Sequence, residues 1–224
     1  MESSPAGGGR RIPFAPRIPG TPGRDSGTQQ RRYLPAAGSY HGPVPTYVAL
    51  LRGINLGPRN KIAMADLREL IGSIGHGDVR THILSGNVIF TSRRRNASKL
   101  EKEIEVAIRS RFGFDIRVLI RTADELAAIV KDNPLPEATS RGDRLFVLFL
   151  DRDPDRDRIE AIDAASFAPD EFRVGDRVIY ARYRDGFQDS KLVGVLTDRR
   201  LGVAITTRNW NTVTKLLELV REAP

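Results

Sequence analysis

From Thr46 onward the chain alternates short apolar runs with amphipathic stretches, and the same order of elements reads twice. That recurrence restricts the fold more than any single motif does. In the first pass, Tyr47 to Leu51 is an apolar run suited to a buried strand, followed by the loop Arg52 to Lys61. A helix begins near Met64, with Met64, Leu67, Leu70, Ile71 and Ile74 on one face, and Gly75 and Gly77 end it. Val79 to Leu84 and Asn87 to Thr91 read as strands about a tight Ser85-Gly86 turn. Ser98 with Glu101 predicts a capping box for a helix burying Leu100, Ile104, Ala107 and Ile108, closed by Gly113. Ile116 to Ile120 is the next strand. Thr122 with Glu125 predicts another capping box, for a helix carrying Leu126, Ile129 and Val130 that stops at Asn133-Pro134. The order is β-α-β-β-α-β-α.

After a linker, Pro134 to Asp143, the order returns. Leu145 to Leu150 reads as a strand, and Asp153-Pro154 as the cap and first turn of a helix with Ile159 and Ile162. Glu171 to Val174 and Arg177 to Ala181 form a hairpin about Gly175-Asp176. Ser190 to Leu201 reads as a helix, Val203 to Thr206 as a strand and Asn209 to Val220 as a last helix. The expected class is α+β: two consecutive ferredoxin-like (βαββαβ) subdomains over 46–133 and 144–224.

Residues 1–45 differ in kind. They hold eight of the 14 prolines and eight of the 20 glycines with no sustained periodicity, which predicts a disordered arm. Six arginines against Glu2 and Asp25 give the arm a net +4, half of the formal +8 of the whole chain. The folded remainder is thus only modestly basic, which weakens a nucleic-acid reading based on overall charge. With no cysteine, thiolate metal sites and a cysteine nucleophile are excluded, and a reducing, cytoplasmic setting is the default expectation. No apolar run reaches the roughly 18 residues of a membrane helix.

Three blocks carry a resemblance: YVALLRGIN with RNKIAMADLR, then VRTHILSGNVIF, then SKL with LGVAITTRNWNTVTKLLEL. In this order they resemble the domain-of-unknown-function 1697 family over roughly Thr46 to Glu222. The resemblance implies an α+β fold of two ferredoxin-like subdomains and no established activity. It also implies a tyrosine-x-glutamine approach to the Ser-Gly-Asn turn, where this chain has His82 and Leu84.

Cations and amides gather in two places. The loop from Arg52 to Lys61 contains Arg52, Asn55, Arg59, Asn60 and Lys61 between a strand and a helix, where anion-binding loops commonly sit. Its glycines and lysine do not have P-loop or GxGxxG spacing. The same residues also suit a tight loop with left-handed turns and solvated charges. The second place is Thr206 to Thr212, where Thr207 or Asn209 can cap the last helix and Arg208 and Trp210 remain to be explained. Asn87 serves the hairpin turn or faces a ligand. Asp151, Asp153, Asp155 and Asp157 alternate as in a calcium loop, but Arg156 and Ile162 stand where glycine and glutamate are needed, so helix-start carboxylates explain them better.

His41, His76 and His82 have no catalytic or metal-binding spacing, and Ser190-Lys191 are adjacent residues that do not face each other on a helix. Phe90 alone on its strand falls short of the aromatic row of an RNA-recognition sheet. The expectation is a binding module for a small phosphate- or carboxylate-bearing anion, without cofactor or metal. Its site combines Arg52, Asn55, Arg59, Asn60 and Lys61 with Asn87, Lys191, Arg208 and Asn209. An enzyme using the same cations, or a sequence-tolerant nucleic-acid binder, is the alternative.

Overall fold

The computed structural model describes residues 44–142 and 144–222. The arm expected over 1–45, and His41 with it, falls outside the described residues except for Val44 and Pro45. Two four-stranded antiparallel sheets with helices make a mixed α+β architecture. The first sheet comprises β1 (Thr46–Leu51), β2 (Gly77–His82), β3 (Asn87–Thr91) and β4 (Val118–Thr122), in the spatial order β2-β3-β1-β4. The second comprises β5 (Leu145–Leu150), β6 (Glu171–Gly175), β7 (Val178–Arg182) and β8 (Ile205–Asn209), in the order β6-β7-β5-β8. Position for position, the second order repeats the first.

The central strands β1, after Thr46, and β5 are apolar because both of their faces are covered. Tyr47, Ala49 and Leu51 of β1 point to one face and join Val88 and Phe90 under α1 (Met64–Ser73) and α2 (Ala97–Phe112). Val48 and Leu50 point the other way, into a middle layer built from α3 (Ala123–Lys131) and α6 (Trp210–Arg221). Val147 and Phe149 of β5 close that layer from the second sheet. Leu148 and Leu150 face outward, under short pieces that supply Leu192, Leu196 and Leu201. The period-two alternation of each strand therefore feeds two cores, so no broad sheet face is left bare. Phe90 lies in the α1/α2 core, and Trp210 anchors α6 in the middle layer.

Local chemistry fixes the ends. The capping box of α3 forms as expected: Thr122 Oγ1 accepts from Glu125 N–H (3.1 Å) and the Glu125 carboxylate from Thr122 N–H (2.7 Å). The expected Ser98–Glu101 box does not form. Asn96 caps α2 instead, accepting from Lys99 N–H at 2.9 Å. This frees Glu101 to turn inward, where with Glu105 it accepts from the N–H groups of Ile120 (2.8 Å) and Val118 (3.0 Å). β4 is an edge strand, and these two carboxylates occupy edge donors that another chain could otherwise pair with.

Other boundaries shift. The helix expected from Asp153-Pro154 is α4 (Arg156–Glu160), capped by Asp155, while Asp153 accepts from Arg177 N–H at 2.9 Å. Asp151 accepts from Ala204 N–H at 2.9 Å, so the alternating aspartates serve three separate backbone sites. The helix expected over Ser190 to Leu201 is a 3-10 turn (Lys191–Gly194) and α5 (Asp198–Leu201), because Thr197 is extended between them. The hairpin strand expected to reach Leu84 ends at His82, and Ile83 and Gly86 both take positive φ.

Candidate functional site

The loop after β1 is held by its own amides. Asn55 and Asn60 adopt left-handed backbone conformations, which asparagine tolerates well. The Asn55 side chain accepts from Ile62 N–H (3.0 Å) and donates to the carbonyls of Ile62 (3.0 Å) and Leu84 (2.9 Å). Asn60 donates weakly to Gly53 O at 3.4 Å. Both amides thus shape the loop and tie it to the β2–β3 turn. Arg52 leaves the end of β1 and pairs with the Asp198 carboxylate at the start of α5. Arg59 and Lys61 are exposed, with no ion-pair or hydrogen-bond partner among the described residues.

Asn87 and Arg208 come together across the two halves. Arg208 lies on β8, only 8% exposed, and its Nε donates to Asn87 Oδ1 at 2.5 Å. Its Nη2 donates to the carbonyls of Leu51 (2.9 Å) and Ser85 (3.1 Å), and Nη1 to Thr206 Oγ1 (2.9 Å). Asn87 in turn donates to His82 O and Ser85 Oγ. Burial lowers the Arg208 pKa to about 10, which leaves it charged at neutral pH. Asn209 caps α6, accepting from Thr212 N–H at 2.9 Å. Lys191 lines a different hollow, beside Asp170 and Ser190. There Ser190 Oγ donates to Asp170 at 2.5 Å and accepts from Leu192 N–H, so its role is that of a cap.

Several further arginines take part that no local motif marks, including Arg199, which with Arg200 reads in the sequence as a solvated turn charge. Arg121 on β4 is 1% exposed and donates to the carbonyls of Ile120 (2.9 Å), Leu150 (2.7 Å) and Arg177 (3.0 Å). A lone arginine in an apolar strand, directly before a capping box, is the signal that could have exposed it. Beside Arg52, a surface cleft gathers Arg117, Arg152 and Arg199 with Asp151 and Asp198. These come from the ends of β1 and β5, the approach to β4, and α5.

Part of this charge is already engaged. Asp151 holds Arg152 at 3.0 Å, Asp198 pairs with Arg52, and Arg117 reaches Glu105 at 3.6 Å while remaining largely exposed. The Arg199 guanidinium has no partner among the described residues. Planar forks converging from separate segments suit the oxygens of a phosphate or carboxylate.

Among the described residues, no helix is long and apolar enough to cross a membrane. No curated protein matches the sequence. Among solved structures, that of the conserved bacterial protein SP0830 from Streptococcus pneumoniae is similar at a TM-score of 0.65 and 24% identity. The match covers 80% of this chain and all of that one, and it supports the fold alone. The family model described as protein of unknown function (DUF1697) matches residues 44–180, more than half the chain, and this protein belongs to that family.

Proposed function

We propose that the protein is a binding module for a small phosphate- or carboxylate-bearing anion, held in the cleft of Arg52, Arg117, Arg152 and Arg199. The observation that carries this reading is that four arginines from separate segments line one hollow, where the Arg199 guanidinium has no partner among the described residues and Arg117 only a long contact to Glu105 at 3.6 Å. A compact anion would neutralise the excess, with Arg59 and Lys61 of the neighbouring loop adding long-range attraction. In the same reading, Asn55, Asn60, Asn87, Arg208 and Asn209 support the site by fixing the loop, the β2–β3 turn and the start of α6. The strand orders further support two ferredoxin-like units, over 46–133 and 144–224, each followed by one helix of the shared middle layer.

An extended nucleic acid is less well served. The faces of the first sheet are occupied by α1 and α2 on one side and α3 and α6 on the other, leaving no platform for stacked bases. Titration calorimetry of the full chain against inorganic phosphate, nucleotides and dicarboxylates tests the proposal. Arg117→Ala and Arg199→Ala should each weaken the best ligand while stability moves by no more than about 0.5 kcal/mol, as for exposed substitutions. Preference for a single-stranded oligonucleotide, with a salt slope of about −0.7 per contact summing to four or more contacts, would replace the pocket with a nucleic-acid surface.

A further inference from the structure

On the outer face of the first half, Lys99, Lys102, Glu103, Val106 and Ala107 of α2 share one helix stripe by their i, i+3, i+4, i+7, i+8 spacing. This stripe lies beside the core stripe of Leu100, Ile104 and Ile108 and borders a hollow of about 740 Å3 completed by Ile74. Its apolar lining is Ile74, Val106 and Ala107, with Val106 56% exposed. Lys99 and Lys102 lie toward the N-terminal end, and neither has an ion-pair partner among the described residues. The one carboxylate in the lining, Glu103, is held by Arg94 at 3.1 Å.

Lys99 sits in the first turn, where the helix dipole is already positive and no acidic residue offsets it, and Lys102 adds its charge one turn further on. An apolar trough with uncompensated positive charge at one end is complementary to an amphipathic anion: the tail lies over Val106, and the acid group meets the lysines and the start of α2. We infer that this groove is a second ligand site, taking a small organic acid with an apolar body such as a medium-chain carboxylate or aryl sulfonate. It shares no residue with the arginine cleft, and the two proposals stand or fall separately.

The test is a fluorescence titration of the full chain with 8-anilinonaphthalene-1-sulfonate, competed by decanoate, decanol and decyltrimethylammonium. Decanoate should displace the dye, with the neutral and cationic compounds of equal chain length weaker by about tenfold or more, as expected if charge-assisted contacts contribute. Lys99→Glu/Lys102→Glu and, separately, Val106→Glu should reduce decanoate binding by a similar factor without lowering the melting temperature. As a readout that needs no variant, decanoate should slow amide exchange within Ala97–Ala107 of the wild-type chain. Equal competition by decanol, unchanged affinity in folded variants, or no protection of that segment would overturn the site. So would sedimentation showing a dimer that Val106→Glu dissociates, because the groove would then be a contact between copies.

Discussion

Arg121 and Arg208 occupy the same place in the two halves, and each fastens the half it does not belong to. Each is the fourth residue of the last strand of its sheet, paired with the third residue of the central strand, Val48 or Val147. Arg121 donates to Leu150 O, at the end of the opposite central strand, and to Arg177 O in the opposite hairpin turn. Arg208 donates to Leu51 O and to the Ser85 and Gly86 carbonyls, at the corresponding places in the first half. The neighbouring backbone bonds repeat as well: Leu51 N–H donates to Gly86 O, and Leu150 N–H to Arg177 O. The two halves are therefore cross-latched by reciprocal guanidiniums.

That geometry predicts a failure of conservative substitution. A lysine keeps the charge but cannot span the three fixed acceptors of Arg121 or the six of Arg208 at once. Arg208→Lys and Arg121→Lys should each cost about 2–4 kcal/mol, because several buried carbonyls lose a charge-assisted donor. Amide exchange locates the effect. Arg208→Lys should speed exchange around Ser85–Asn87, and Arg121→Lys around Asp176–Val178, each in the half opposite the substitution. Equal loosening of both hairpins in either variant would show general destabilisation instead of a directed latch.

Gly86 gives a sharper local test. It sits at φ 78°, and a Cβ there would meet Leu51 Cβ at 2.7 Å and Ile54 Cδ1 at 2.8 Å, both in fully buried side chains. Gly86→Ala combines left-handed strain with overpacking and should cost on the order of 3 kcal/mol by chemical denaturation. Gly113 has the same φ of 78° with open space around it, so Gly113→Ala should cost only about 1–2 kcal/mol, the backbone contribution alone. Comparable losses at the two positions would mean that packing at Gly86 is dispensable.

His76 contributes to the acid limb of stability. Its side chain is 0% exposed, packs on Phe90 with ring centroids 4.8 Å apart, and leaves both nitrogens without a hydrogen bond. Burial lowers its pKa, outweighing the attraction of Glu103 at 3.8 Å, and nearby Arg94 lowers it further. The folded protein thus binds a proton less readily than the unfolded chain. Stability from this residue is fully present above the unfolded value of 6.5 and declines as pH falls below it, until the lower folded pKa is passed. His76→Leu should flatten the wild-type loss of stability between pH 6.5 and pH 5. His82 also has a lowered pKa and remains in both proteins, so the difference between their profiles isolates His76.

How far these features could be read in the sequence depends on whether the cause is local. The strands of the first half, with β2 and β4 each displaced by two residues from the expected Val79–Leu84 and Ile116–Ile120, and the caps at Thr122 and Asn209 follow from short-range chemistry and were legible. Leu192, Leu196 and Leu201 have a helix-like spacing and share one core, yet Leu192 and Leu201 belong to two short pieces and Leu196 to the link between them, where Thr197 is extended. Glu101 satisfied a capping-box pattern but found a better use on an edge strand far along the chain. The cationic loop was legible through Arg52, whereas its cleft partners Arg117, Arg152 and Arg199 lie in three other segments. Arg208 and Asn87 were both conspicuous, but their 2.5 Å contact spans 121 positions, beyond the reach of any spacing rule.

Competition between Asp198 and a ligand for Arg52 supplies the last prediction. Both partners are partly exposed, at 43% and 33%, so their pairing contributes only about 0–1 kcal/mol to stability. The same carboxylate, however, occupies a guanidinium that lines the cleft and adds negative charge where an anion would sit. Asp198→Asn should therefore leave the denaturation midpoint nearly unchanged while tightening inorganic phosphate binding several-fold at low salt, an advantage that fades above about 0.15 M as exposed charges are screened. Arg52→Ala should weaken binding, and adding Asp198→Asn to it should recover only the part due to charge at a distance. Calorimetry across the four combinations measures the coupling directly. If Asp198→Asn weakened phosphate binding instead, the aspartate would be holding Arg52 in its binding pose, and the Arg52–Asp198 pair would act as one positioned unit.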